Sequence, residues 1–231
     1  MTVRLTRTAH GHGPQSSGLD VADDGTVTAW QDYGHRVGRF ARDLAAGERA
    51  ALERALAAAA AAGEPAAPGG PLRPGGATER LTADGLPDVV LTPHAEPPAG
   101  FGDLVDLLRT IREDVAGSPV AAIELEVTGT PLAARLRHVG SESIALRMGT
   151  LTLQATLFGP DSALLDSAAV TVDASGWTGR ADPGWSLPLA DDLGLAAPRG
   201  GGFLTVTVGT PDVDVRGDGV LHPAELSWMA E

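Results

Sequence analysis

Ala122-Ile-Glu-Leu-Glu-Val127 alternates apolar and acidic residues without a break. In an extended chain this puts Ile123, Leu125 and Val127 on one face and Glu124 and Glu126 on the other, the pattern of a half-buried strand. Similar short runs follow at 132–139, 144–148, 151–158, 168–173, 203–208 and 224–228, separated by Gly, Pro, Asp and Ser. No helical pattern longer than two turns lies between them. Several short strands at this spacing predict an all-β, immunoglobulin-like sandwich over 119–231.

Upstream, Gly117-Ser-Pro119 separates this region from one of different texture. Leu104, Leu107, Leu108, Ile111 and Val115 recur at helical spacing and predict an amphipathic helix. A longer helix is predicted over 45–62, where Glu48-Arg-Ala-Ala-Leu-Glu-Arg-Ala-Leu-Ala-Ala is rich in strong helix formers. Its apolar stripe is Leu52, Leu56, Ala59 and Ala60, with Gly63 placed to end it and Pro65 to block continuation. Val3-Arg-Leu-Thr-Arg-Thr8 reads as a strand, and His10 to Gly18 as a loop. Leu19 to Trp30 turns at Asp23-Asp-Gly25, and 80–92 turns at Asp84-Gly85, as hairpins do. The Pro/Gly-rich stretch 64–79 reads as a flexible loop. The fold expected is therefore α+β: a 1–118 domain of β-hairpins with two helices, then the 119–231 sandwich.

Composition closes off several chemistries. The chain has no cysteine, which excludes disulfides, thiolate nucleophiles, Cys-ligated zinc and iron–sulfur clusters. It also has no lysine or asparagine; all 17 basic residues are arginine. Lysine and asparagine codons are AT-rich, so this marks a high-GC genome. Without lysine there is neither a Schiff-base residue nor a P-loop lysine. Net charge is −13, and both halves are acidic: 11 Arg against 16 acids in 1–118, and 6 against 14 in 119–231. Such a surface repels a phosphate backbone, so no nucleic-acid partner is expected. No apolar run nears the ~20 residues of a membrane span. The first residues lack the apolar core of a secretory leader, so no membrane association and a cytoplasmic location are expected.

Spacing singles out a few candidate sites. Asp214-Val-Arg-Gly-Asp-Gly-Val-Leu-His-Pro-Ala-Glu225 meets a calcium loop at its first, fifth, sixth, eighth and twelfth positions, through Asp214, Asp218, Gly219, Leu221 and Glu225. Arg216 occupies the third position, where a carboxylate ligand belongs, and the preceding Phe203–Val208 reads as strand rather than an entering helix. A β-turn at Gly217-Asp-Gly219 is the simpler reading, and no calcium site is expected. His10-Gly-His12 opens a possible transition-metal pair, with Asp23 or Asp24 nearby, but no third ligand is set by spacing. His35, His94, His138 and His222 are isolated. No GxSxG elbow or GxGxxG strand–helix junction occurs. Ser16-Ser17 and Ser141 to Ser143 read as turn residues, and Asp191-Asp192 as a solvated turn. Trp177 and Trp185 flank a Gly/Asp/Pro loop and fit the core or its rim, and Trp228 is expected to be buried. No catalytic residue, cofactor or metal site is assigned.

The order of parts in residues 1–115 resembles the emfourin family of small bacterial inhibitors of thermolysin-like metalloproteases. The match runs from Val3-Arg-Leu-Thr-Arg-Thr8 through a Gly-rich loop, a strand pair, the Leu/Ala helix at 48–62, a Pro/Gly loop and a second strand pair. It ends in the helix introduced by Pro97-Pro-Ala-Gly-Phe-Gly-Asp-Leu-Val105. The family's first loop carries a Ser-Gly-Gly-Phe run; here it is Ala9-His-Gly-His-Gly-Pro-Gln-Ser-Ser-Gly18, without phenylalanine. The resemblance implies a fold and a bacterial source, and protease inhibition or regulation as an activity. Together these readings predict a non-enzymatic module that binds a protein partner. The alternatives are a metal-assisted hydrolase using His10, His12 and a nearby Asp, or a structural subunit of a larger assembly.

Overall fold

The computed structural model of the chain describes residues 2–10, 14–64, 77–92, 96–209 and 211–230. It is mostly β, with 50% of the described residues in strands and 15% in helices. The strands of the first half are β1 (Val3–His10), β2 (Pro14–Val21), β3 (Thr26–Gln31), β4 (Tyr33–Gly34), β5 (Arg36–Asp43), β6 (Thr78–Ala83) and β7 (Val89–Leu91). Two helices, α1 (Ala46–Ala62) and α2 (Gly102–Val115), accompany them. Then come β8 (Pro119–Thr128), β9 (Ala133–Gly140), β10 (Ile144–Arg147), β11 (Thr150–Phe158), β12 (Leu164–Asp173) and β13 (Thr178–Ala181). The last are β14 (Ser186–Ala190), β15 (Phe203–Val208), β16 (Asp212–Val213), β17 (His222–Pro223) and β18 (Glu225–Ala230). Among the described residues no helix is long and apolar enough to cross a membrane.

The chain divides into two compact units: Met1–Trp30 with Phe40–Pro119, and Gln31–Arg39 with Val120–Glu231. The short segment 31–39 thus belongs with the second half of the sequence.

In the first unit β1 lies between β2 and β6, antiparallel to both, with Leu5 opposite Leu19 on one side and Leu81 on the other. These three leucines are fully buried. The strand β2 begins at Pro14, so Pro14–Gly18 is strand and not the loop expected from its Gly/Ser content. The Leu5/Leu19 and Val3/Val21 pairs fix the register, and the small residues simply ride along it. Likewise 78–79, expected at the end of a loop, already belong to β6 and pair with Arg7 and Thr8 of β1. Residues 65–76, the bulk of that loop, lie outside the described residues.

Helix α1 buries Leu52, Ala55, Leu56 and Ala59. Ala60, expected on this stripe, is exposed and Ala55 takes its place, because 3.6-residue periodicity leaves one-residue ambiguity at the edge of an alanine-rich stripe. No side chain caps the helix from the N-cap position. Glu48 does so from inside the first turn, accepting the Ala45 N–H at 2.8 Å and pairing with Arg42. The Arg42 hydrogen bond holds the Glu48 carboxyl below its usual range, burial opposes it, and the Ala45 N–H adds to it. In α2 the buried residues are Leu104, Val105, Leu108, Ile111 and Val115; Val105 replaces the expected Leu107, which is half-buried.

In the second unit β9 pairs antiparallel with β8 and with β14. Ile123, Leu125 and Val127 are buried as expected. The opposite face of β8 carries an ion ladder: Arg36 and Arg137 both reach Glu124, and Arg135 and Arg137 reach Glu126. Two further antiparallel sheets follow in this unit, ordered β13-β10-β16-β17 and β12-β11-β15-β18, with β4 added in parallel beside β18. Trp228, expected to be buried, is half-buried near the end of β18.

Candidate functional site

The structure disperses the residues singled out by spacing. His10 ends β1, while His12 and His94 lie outside the described residues. Asp24 is a turn residue whose Oδ1 accepts the Thr26 N–H at 2.8 Å; that main-chain bond is the main reason its carboxyl sits below its ordinary value. Asp192 similarly accepts the Gly194 N–H. Among the described residues no group of three or more His, Asp or Glu is placed to hold a metal.

The 214–225 segment is a turn built around Asp214, which is 7% exposed. Its Oδ1 accepts the Gly217 N–H at 2.7 Å and its Oδ2 the Gly219 N–H at 3.2 Å. Arg39 donates to the Asp214 carbonyl at 3.3 Å. Both carboxylate oxygens thus face donors, the reverse of what a cation requires. Asp218 accepts the Val220 N–H, and Glu225 pairs along β18 with Tyr33.

His138, isolated in sequence, gathers polar company in the fold. It is 5% exposed. Its Nε2 lies 2.8 Å from the Glu142 carbonyl, so Nε2 carries the proton and donates. Its Nδ1 has no partner among the described residues. Burial pushes the imidazole below its ordinary value, against the pull of the Glu142 carbonyl and Asp182. Ser143 Oγ lies 2.5 Å from Asp182 Oδ1. These are the residue types of a nucleophile triad in the wrong connection. The serine donates to the aspartate directly and the histidine N–H to a main-chain carbonyl, so no hydrogen bond links Ser143 to His138. Nearby in sequence, Trp177 and Trp185 pack on each other with centroids 5.4 Å apart, and both are half-buried.

An open cleft of about 450 Å³ in the first unit is lined by Arg4, Thr6, Thr8, Thr78, Arg80 and Thr82. Its two cations are already engaged, Arg4 with Asp20 and Arg80 with Asp88.

The outer face of the β12-β11-β15-β18 sheet has a different character. Register places Thr171 beside Thr152, Gln154 beside Thr207, Thr207 beside Ser227, and Thr156 between Ser167 and Thr205. At one end the same face becomes apolar. Leu164 stands opposite Phe158, and Phe158 opposite Phe203, the two rings stacked with centroids 4.7 Å apart. Met229, opposite Thr205, continues this edge. From Leu164 to Thr171 on β12, Thr152 to Phe158 on β11 and Phe203 to Thr207 on β15, this face bears no charge. Leu164 and Met229 are each 63% exposed. Alternation in the sequence marks these strands but not this face. The available signal was parity: Leu151, Leu153 and Leu157 set one side of β11, and Phe158 falls on the other.

No family model, curated protein or solved structure matches the chain.

Proposed function

We propose that the chain is a non-catalytic protein-binding module that meets its partner through the outer face of the β12-β11-β15-β18 sheet. The observation that carries this reading is the apolar end of that face. Of five large hydrophobic side chains exposed among the described residues, Leu164, Leu165 and Met229 belong to β12 and β18, beside the stacked Phe158 and Phe203. Exposed apolar groups clustered at one end of a face whose neighbouring rows carry hydroxyls and an amide favour association, since their burial is gained only when a partner covers them. We also read the second unit as an immunoglobulin-like sandwich. Support comes from two antiparallel sheets that each bury one side, through Leu153, Val206 and Leu226 in one and Ile144, Leu146 and Val213 in the other.

The resemblance of residues 1–115 makes a thermolysin-like metalloprotease the first partner to assay. The test compares the wild-type chain with a Phe158→Ser, Met229→Glu variant, both immobilised and exposed to source-cell lysate and to a purified metalloprotease. A partner retained by the wild type and lost by the folded variant supports the reading. Equal retention by both places the contact elsewhere and overturns it.

A further inference from the structure

Among the described residues the sheets end on six strands, and five of them are defended. β4 and β17 are two residues long, β7 three and β13 four, and β17 also contains Pro223. β14 is interrupted by Pro188, where its register with β9 shifts. β12 is ten residues long. Opposite Leu151 to Leu157 of β11 it runs in unbroken register, from Val172 to Asp166, with no proline. Long, regular, unpaired edges template pairing with another chain, and proteins ordinarily blunt them.

The pairing groups on this edge can be identified. The Gly209 N–H donates to the Thr152 carbonyl, which marks the even-numbered residues of β11 as those bonded to β15. Its odd-numbered residues therefore bond β12, through the opposed Asp166, Ala168, Val170 and Val172. The main-chain groups of Ser167, Ala169, Thr171 and Asp173 are left directed to the open side. Ser167 confirms the direction: its N–H turns back to Asp166 Oδ1 at 2.8 Å.

We infer that a second copy of this chain adds to β12, antiparallel, with the two-fold axis at Val170. Only residues of like parity can face each other across such an axis, because both must direct their main-chain groups outward. That rule keeps Asp166 from ever facing Asp173. A centre at Val170 sets Ala169 against Thr171 and Ser167 against Asp173, so the Asp173 carboxylate of each copy meets a hydroxyl, and Asp166 falls opposite Ala174. It also brings the half-buried Val170 side chains of the two copies together. β12 carries only two charges, Asp166 and Asp173, and this pairing sets neither against another acid. This inference uses the edge of the sheet and stands apart from the proposed use of its face.

Analytical ultracentrifugation over a dilution series up to about 100 µM measures the association directly. A concentration-dependent dimer is expected. Thr171→Pro removes an outward N–H that β11 does not use, so it leaves the fold intact by circular dichroism and gives a monomer. Because the chain has no cysteine, Val170→Cys reports the axis: mild oxidation yields a disulfide-linked dimer, whereas Thr207→Cys yields none. A wild type that stays monomeric overturns the inference. So does a dimer that persists in Thr171→Pro, or one that Val170→Cys fails to cross-link. Loss of the dimer in Thr171→Pro with the partner of the outer face still bound would separate the two surfaces.

Discussion

Arg36 donates through both Nε and Nη2 to one carboxylate oxygen of Glu124, the Nε contact measuring 2.7 Å. The two residues are 88 positions apart, and Arg137 approaches the other oxygen at 3.2 Å. This is part of what binds the short segment 31–39 to the second unit.

Burial of Glu124 works against its charge, but the Arg36 hydrogen bond and charge, followed by those of Arg137, outweigh it and hold the carboxyl below its ordinary value of 4.5. A carboxyl lowered in the folded state contributes stability that is complete above 4.5 and is lost as pH falls through the folded value. Glu124→Ala is expected to lose about 2–3 kcal/mol at neutral pH, since it strands two partly buried arginines. In urea titrations, Glu124→Gln should narrow the gap between stability at neutral and at acid pH. An unchanged gap would show that the pair contributes nothing.

His138 has the opposite origin and the same sign. Its folded value lies below the ordinary 6.5, so on acidification the unfolded chain binds the proton first. Stability should fall as pH drops from 6.5 to the folded value and be unaffected above it. The difference between wild type and His138→Gln, followed by thermal melts from neutral to mildly acidic pH, isolates this contribution from the other histidines. Parallel pH profiles would rule it out.

Two glycines should respond to alanine in opposite directions. Gly38 has φ +135°, and a Cβ there would sit 2.3 Å from the Ala121 carbonyl oxygen and 2.6 Å from Ala122 Cα. Neither main-chain atom can yield, so Gly38→Ala should cost about 3 kcal/mol or more. Gly47, in the first turn of α1, has nothing within 4 Å of its added Cβ. Gly47→Ala should raise stability by about 0.5–1 kcal/mol. Denaturant midpoints decide both.

Calcium should not act on the 214–225 turn. Asp214→Ala is expected to lose about 1–3 kcal/mol by leaving the Gly217 and Gly219 N–H groups without their acceptor. Calcium at about millimolar concentration should leave the wild-type melting temperature unchanged, because stabilisation requires a site with affinity in that range. Saturable calorimetric binding, abolished by Asp214→Ala or Glu225→Ala, would reverse this reading.

The amino-acid sequence carries the local elements. The i, i+3, i+4 leucines of α2, the alanine-rich α1 ended by Gly63, and the strict alternation of 122–127 each satisfy a geometric period that neighbouring residues alone can express. It also determined what chemistry is absent, since a chain without cysteine or lysine cannot borrow one from its fold. Everything that depends on register is set by the fold. Pro14–Gly18 is strand because Leu5 opposite Leu19 fixes the pairing of β1 with β2, not because its own residues favour extension. Segment 31–39 joins the second unit through Arg36 and Glu124, a contact no local window contains. The turn at Gly217-Asp-Gly219 was legible in its glycines, but that Asp214 is the acceptor of both glycine N–H groups is seen only in the fold. Phe158, Phe203, Leu164 and Met229 are spread over 72 positions of sequence, and only antiparallel pairing of four strands sets them along one end of a sheet. Periodicity reports which side of an element a residue occupies; which other elements share that side is fixed only when the chain closes on itself.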